Sequence, residues 1–239
     1  MPASTTKLLG TSHKIDLSNN QECARDQKFL TTVMYLSPAK ESGWNMCPFA
    51  SAGCEAMCLG HSSGMMIFTK SKQARINRTT LLMRDRAGFA RQIFKEIEAH
   101  IRKADKLGAT PAIRLNGDSD LRWEAMKFDG QTLIERYPNV VWYDYTKWPI
   151  NLRPGVANYH LTFSRSENTT LGEIQTNLDA GRNVAVVFDV VPATWNGWPV
   201  INGDEHDERF LDVQGVIVGL KAKGAAKKDT SGFVVRLAS

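Results

Sequence analysis

Six short runs rich in β-branched and aromatic residues constrain this chain more than any other feature. They are FLTTVMYL at 29–36, TPAIRL at 110–115, VVWYDYT at 140–146, YHLTFS at 159–164, NVAVVFDVV at 183–191 and GVIVGLKAK at 215–223. Side chains of these types pack well on a pleated backbone, so each run reads as a strand. Most are apolar without strict alternation, the pattern of strands covered on both faces. Helical periodicity fills several of the gaps. From Ser71 to Leu107, apolar residues recur at Phe89, Ile93, Ile97 and Ile101, with a break expected near Ala87–Gly88. Arg122 to Tyr137 reads as a helix ended by Pro138, and Thr169 to Ala180 as one stopped by Gly181. The stretch PATWNGWPVINGDEHDERF at 192–210 reads as an irregular insert, its acidic end as a solvated turn.

Strands alternating with helices call for a parallel sheet covered by helices. The expected fold is α/β: a single-domain (β/α) barrel, partial or TIM-like, of about six parallel strands, with an open doubly wound sheet as the alternative. Residues 1–28 read as an N-terminal arm and 29–239 as one domain. The barrel is favoured by the polar residues at the far end of the apolar runs: Asn116, Asp118 and Asp120; Asp144, Tyr145 and Lys147; Ser164 and Arg165; Asp189; Lys221 and Lys223. Parallel strands bring their C-terminal ends to one rim, where such folds carry their sites. Asp118, Asp144, Lys147 and Lys221 are the expected catalytic groups. Asn116, Asp120, Tyr145, Ser164 and Arg165 are the expected substrate contacts, although Asp120 also suits a helix cap.

The first strand leads into NMCPFASAGCEAMCLGHSSG, 45–64, which holds three of the four cysteines in a C-x6-C-x3-C spacing. Gly53, Gly60 and Gly64 give this loop backbone freedom. No run of about 18 apolar residues exists to span a membrane. The start, MPASTTKLLGTSHK, lacks an apolar signal core, so the expected compartment is the cytoplasm, with thiols reduced. Reduced, clustered cysteines point to metal. Cys47, Cys54 and Cys58, within loop 41–64, are expected to hold a [4Fe-4S] cluster, with Cys23 or His61 as a fourth ligand. Zinc is the alternative, although only Cys54 and Cys58 form a knuckle-like pair.

Charge adds one more expectation. The chain carries a formal +5, and between residues 70 and 106 eleven Lys or Arg face four Asp or Glu, a local +7. Such helices can present a solvated face or attract nucleic acid. Aromatic residues are not interleaved with these charges as base stacking would require.

Taken together, NMCPFASAGCEAMCLG, RLNGDSD, WYDYTK, HLTFSRSEN, VINGDEHDERF and GVIVGLKAKG resemble the gene-product-eighty-eight family of phage-encoded proteins, over about residues 27 to 235. That resemblance implies a phage or prophage origin, a host-cytoplasm location and a cysteine-rich metal loop. The architecture is also similar to radical SAM enzymes, which place a three-cysteine loop after the first strand and a glycine-acid motif after the second, here Asn116-Gly117-Asp118. Those enzymes mostly use C-x3-C-x2-C and an aromatic residue before the last cysteine, where this chain has Met57.

Three functions are compatible with these readings. The first is a cluster-dependent, radical-SAM-like enzyme acting on a polar small molecule or nucleotide, with S-adenosylmethionine as co-substrate. The second is a non-catalytic module, stabilised by iron–sulfur or zinc, that binds nucleic acid through helices 70–106 or a phage or host protein. The third is a hydrolase or lyase that works through rim carboxylates.

Overall fold

The computed structural model describes residues 6–20, 28–62, 64–153 and 155–237. Its frame is a nine-stranded sheet. In chain order the strands are β1 (Leu9–Gly10), β2 (Phe29–Met34), β3 (Thr110–Arg114), β6 (Val141–Thr146), β7 (Tyr159–Ser164), β8 (Val184–Phe188), β9 (Thr194–Trp195), β10 (Trp198–Asn202) and β11 (Ile217–Lys221). A separate hairpin joins β4 (Lys127–Phe128) to β5 (Gln131–Thr132). The helices are α1 (His13–Asn20), α2 (Ala52–Ala56), α3 (Leu59–Ser62), α4 (Thr69–Arg84), α5 (Arg86–Lys106), α6 (Leu133–Arg136) and α7 (Leu171–Asp179).

The barrel expectation is overturned. The strand order is β1-β2-β3-β6-β7-β8-β11-β10-β9, an open sheet with two separate edges. From β2 to β10 every neighbouring pair is parallel. Closure fails because the outermost parallel strands are each paired outward with an antiparallel strand: β1 on β2 and β9 on β10. Each of these pairings covers only two residues, and such short strands end the sheet at two blunted edges instead of carrying it round to closure.

Two further expectations fail for local reasons. Arg122 to Tyr137 is a short 3-10 turn, the β4–β5 hairpin and α6, not one helix. Asp129 and Gly130 both take positive φ, 52° and 85°, which suits a two-residue hairpin turn and stops a helix. The insert at 192–210 is not wholly irregular. Asn196 and Gly197 take φ of 49° and 86° and fold Trp195 back on Trp198, making the β9–β10 hairpin.

The core has two main parts. On one side Phe89, Ile93 and Ile97 of α5 pack with Met34, Ile113, Trp123 and Trp142. On the other, Ile174 and Leu178 of α7 join Phe163, Val184, Val186, Phe188 and Ile217. The segment expected as an arm contributes too: Leu8 and Ile15 are fully buried, and β1 pairs with β2. Helix α5 buries one stripe and exposes the other, so substitutions should separate its faces. Ile97→Ala should cost roughly 2–5 kcal/mol, and exposed Lys95→Ala should stay within about 0.5 kcal/mol, read from urea unfolding.

Candidate active site

The turn after β3 is built around Asn116, which is 2% exposed. Its Oδ1 accepts from Ser119 Oγ (2.9 Å), Leu121 N (3.0 Å) and Trp123 Nε1 (3.0 Å). Its Nδ2 donates to Leu121 O (3.0 Å) and Asp144 Oδ2 (3.2 Å), and its backbone N–H to Asp144 Oδ1 (2.7 Å). A short polar side chain with this many local partners fixes the turn outright. Gly117 comes next, under the ring of Tyr35, where a Cβ would lie 2.4 Å from Cδ1 and 2.8 Å from Met34 O. Only glycine permits that approach. The next residue, Asp118, is thereby delivered to the cavity.

The cysteine loop is clamped onto this turn from three directions. Asp120 N donates to Met46 O (2.8 Å), and the Met46 side chain is buried. Glu167, beyond β7, accepts from Ser51 Oγ (2.7 Å) and Gly53 N (2.8 Å), where a Cβ on Gly53 would stand 2.6 Å from Glu167 Oε2. Arg75 of α4, 1% exposed, donates to Gly60 O (2.7 Å).

These clamps place Cys47, Cys54 and Cys58 along one cavity of about 360 Å³. Asn116, Asp118, Asp120, Tyr145, Lys147, Ser164 and Lys221 line it as well. The C-terminal ends of β3, β6, β7 and β11 thus meet the thiols in one space. Burial pushes the Cys47 and Cys58 thiols up to about 12, and raises Cys54 as well. Two sulfurs receive backbone hydrogen bonds, Cys47 from Ala39 N–H (3.4 Å) and Cys58 from Gly60. Burial likewise raises the Asp118 carboxyl to about 6, against the pull of Arg75 and Arg114. Asp118 Oδ2 is buried without a hydrogen bond and lies 3.7 Å from Arg75 Nε. Burial lowers Lys147, whose Nζ donates to Ser164 O (3.1 Å), Ser164 Oγ (2.9 Å) and Arg165 O (3.2 Å).

Not every expected residue faces this space. Asp144 is fully buried behind it, accepting from Asn116 and from Tyr159 OH (2.7 Å). Asp120 lines the wall, but its carboxylate is spent on Arg153 Nη1 (2.9 Å) and Lys147 N (2.7 Å). Arg165 turns to the C-terminal segment, donating to Gly232 O and Phe233 O (both 2.9 Å). His61 lies 3.4 Å from Glu41, in an ion network shared with Lys72 and Arg75. Cys23 lies outside the described residues. The basic run is partly structural: Arg75 is buried, Arg78 donates to Lys7 O and Tyr35 O, and Arg86 sits over Phe128.

Four charged lining residues were not expected. Lys14 comes from α1, Arg114 from within β3, and Asp204 and Asp207 from the insert read as a solvated turn. Arg114 Nη1 lies 3.5 Å from Asp207 Oδ2, and Lys14 Nζ donates to Gly203 O (2.6 Å). A charged residue inside an apolar run was the available signal for Arg114. Lys14 offers none, because its place depends on contacts 189 residues apart.

Three thiols, two of them with N–H donors, suit a soft metal centre. Among the described residues, however, no group of three His, Cys, Asp or Glu side chains is close enough to hold a single metal ion. No helix among them is long and apolar enough to cross a membrane. Residues 7–237 match the family model described as Gene product 88, and the chain belongs to that family. Neither the curated proteins nor the solved structures contain a match to this chain.

Two outcomes test the site's electrostatics. In the fold, Asp118 keeps its proton up to about pH 6, whereas the unfolded group loses it near pH 4. Its contribution to stability is complete below the unfolded value and is lost as pH rises through about 6. Metal-free Asp118→Asn should therefore gain on the wild type by roughly 3 kcal/mol between pH 4 and pH 7. Parallel urea midpoints for the two proteins across that range would mean the carboxylate is ionised in the fold. Arg153→Met should cost roughly 3–5 kcal/mol, because it strands the buried Asp120 carboxylate without its cation and leaves Glu124 only Arg122. Chemical denaturation of the variant beside Arg153→Lys measures this.

Proposed function

We propose that this member of the Gene product 88 family is an iron–sulfur enzyme. In this reading Cys47, Cys54 and Cys58 hold a [4Fe-4S] cluster at the cavity mouth, and a polar small molecule or nucleotide binds beside it. One observation carries the reading: three thiols of one loop share a cavity with side chains from the C-terminal ends of four parallel strands. Ligands of open α/β sheets gather at those strand ends.

The donor set favours a cluster over a single ion. A cubane of four irons and four sulfides spreads its ligands around a wider body than one zinc does, so thiols strung along a cavity wall suit it better. Backbone N–H bonds to Cys47 and Cys58 are the kind of outer contact that tunes such a centre. Thiol nucleophilic catalysis is poorly served, since Cys47 and Cys58 stay protonated at neutral pH. Metal binding displaces those protons and makes the sulfurs thiolates.

When bound, a cluster held by three protein thiolates supplies an electron or an open Lewis-acid iron. The chain's own residues do the rest. Asp118, with one oxygen free of hydrogen bonds and a carboxyl raised to about 6, holds or releases a proton near neutral pH. Lys221 and Tyr145 line the substrate side. Asn116 and Asp120 position the rim and do not contact substrate through their side chains, because their polar groups are already paired. S-adenosylmethionine remains the co-substrate to test first, with Asp118 as its available partner.

The test is anaerobic purification after growth with iron. The expected product is brown, with iron and sulfide each near about four per chain. Alanine at Cys47, Cys54 or Cys58 should abolish the colour. Formation of 5′-deoxyadenosine from S-adenosylmethionine would identify the radical branch. One zinc per chain, or colour that survives the triple alanine variant, would overturn the assignment.

A further inference from the structure

A second cavity of about 310 Å³ opens among residues that precede or begin the strands, at the rim opposite the thiols. Tyr159 and His160 reach it from the start of β7, Arg182 and Asn183 from the turn before β8, and Arg209 and Asp212 from the segment before β11. Neither the cluster loop nor any strand-end residue of the first site lines it.

Its unusual member is Arg182. The residue is only 8% exposed, and burial pulls its pKa down from the ordinary value. An arginine nevertheless keeps its charge. Among the described residues Arg182 makes no ion pair, and its sole side-chain hydrogen bond runs from Nη2 to Arg153 O (2.8 Å). Nη1 is buried with no hydrogen-bond partner. The nearest charges act in opposite directions: Arg153 repels it, and Glu124 attracts it from a distance while hydrogen-bonded to Arg153 (3.0 Å at each contact). A buried guanidinium with no carboxylate in ion-pair contact and an unsatisfied N–H group is costly, and such a group calls for an explanation.

Across the cavity stands a second guanidinium. Arg209 pairs with Asp212 (Nη1 to Oδ2, 3.2 Å), and its Nε has no hydrogen-bond partner. Asp212 is in turn 3.6 Å from His206 Nε2, so that carboxylate is shared and does not neutralise Arg182. Two arginines against one carboxylate leave the cavity with surplus positive charge. Asn183 is framework, its side chain bonded to Val213 O (2.8 Å) and Val216 N (3.1 Å).

We propose that this cavity is a binding site for a small oxyanion, the phosphate or carboxylate group of a small molecule, with Arg182 as its principal ligand and Arg209 as the second donor. A guanidinium presents parallel N–H groups that match the oxygens of either anion, and partial burial strengthens such a bond. The site stands apart from whatever the thiols hold.

Calorimetric titration of the full chain with inorganic phosphate, and separately with malonate, at ionic strength matched with chloride, tests it. The arm that saturates identifies the anion class. The wild type should bind one equivalent of at least one of them, and the His160 ring signals should shift saturably in NMR spectra. Arg182→Met should weaken binding by about tenfold or more, and Arg182→Lys by less, since lysine keeps the charge and loses the fork. If neither anion saturates, if the His160 signals stay fixed, or if a folded Arg182→Met protein binds as the wild type does, the site is refuted. Should Arg182→Met fail to fold, the wild-type calorimetry and His160 titration still decide.

Discussion

One buried guanidinium, that of Arg153, supports the rim on which the candidate site stands. It is fully buried and pairs with Asp120 and Glu124 while donating to Tyr159 OH (2.8 Å). Tyr159 donates to Asp144, Asp144 accepts from Asn116, and Asp120 accepts from Lys147 N. The turn after β3, strand β6 with the residue that follows it, and the start of β7 are thereby tied together by charge-assisted hydrogen bonds. A network of this kind is stabilising only when every member is satisfied, since a low dielectric punishes any gap. It explains why carboxylates close to the cavity do different work. Asp120 and Asp144 serve the network, and Asp118 alone of the three keeps an unbonded oxygen near the thiols.

Much of the strand content was legible in the residues, because burial on both faces writes itself as an apolar run. What was not legible was closure. An open sheet and a barrel can share the same succession of strands and helices, and the difference here lies in β1 and β9, two residues each. Strands that short leave no periodicity to read. The failed helix at 122–137 is a different case, since its Asp129–Gly130 turn signal was present and was outweighed by the surrounding apolar spacing. The same holds for Asn196–Gly197, flanked by two tryptophans that pair across the hairpin.

The cavity was partly legible for a reason of topology. Parallel strands deliver the residues at their C-terminal ends to one rim, so Asp118, Lys147, Ser164 and Lys221 meet without any sequence adjacency. Whether each side chain then faces the space or the interior depends on its partners. Asn116 and Asp144 look like site residues by position and turn out to be mutual partners, 28 positions apart. Lys14 and Asp207 show the converse, as residues with no local signal that long-range packing brings to the wall. Glu167 belongs with them: it lies just beyond β7, yet its carboxylate holds the N-terminal end of the α2 segment that carries Cys54.

The order of strands in the sheet has a consequence for how the chain comes to exist at all. From β2 through β8, the β4–β5 hairpin aside, each strand of the large sheet docks beside the one made before it, so on a ribosome the growing sheet can accept each newcomer at an edge already formed. Domains assemble in this N-to-C direction during synthesis. The sequence of events breaks at the far edge. Trp198–Asn202 is synthesised before Ile217–Lys221 but pairs outside it, so the hairpin with both tryptophans waits, undocked from the sheet, until the last parallel strand arrives. Until then Trp198–Asn202 and the outer edge of Val184–Phe188 both lack the strand that joins them.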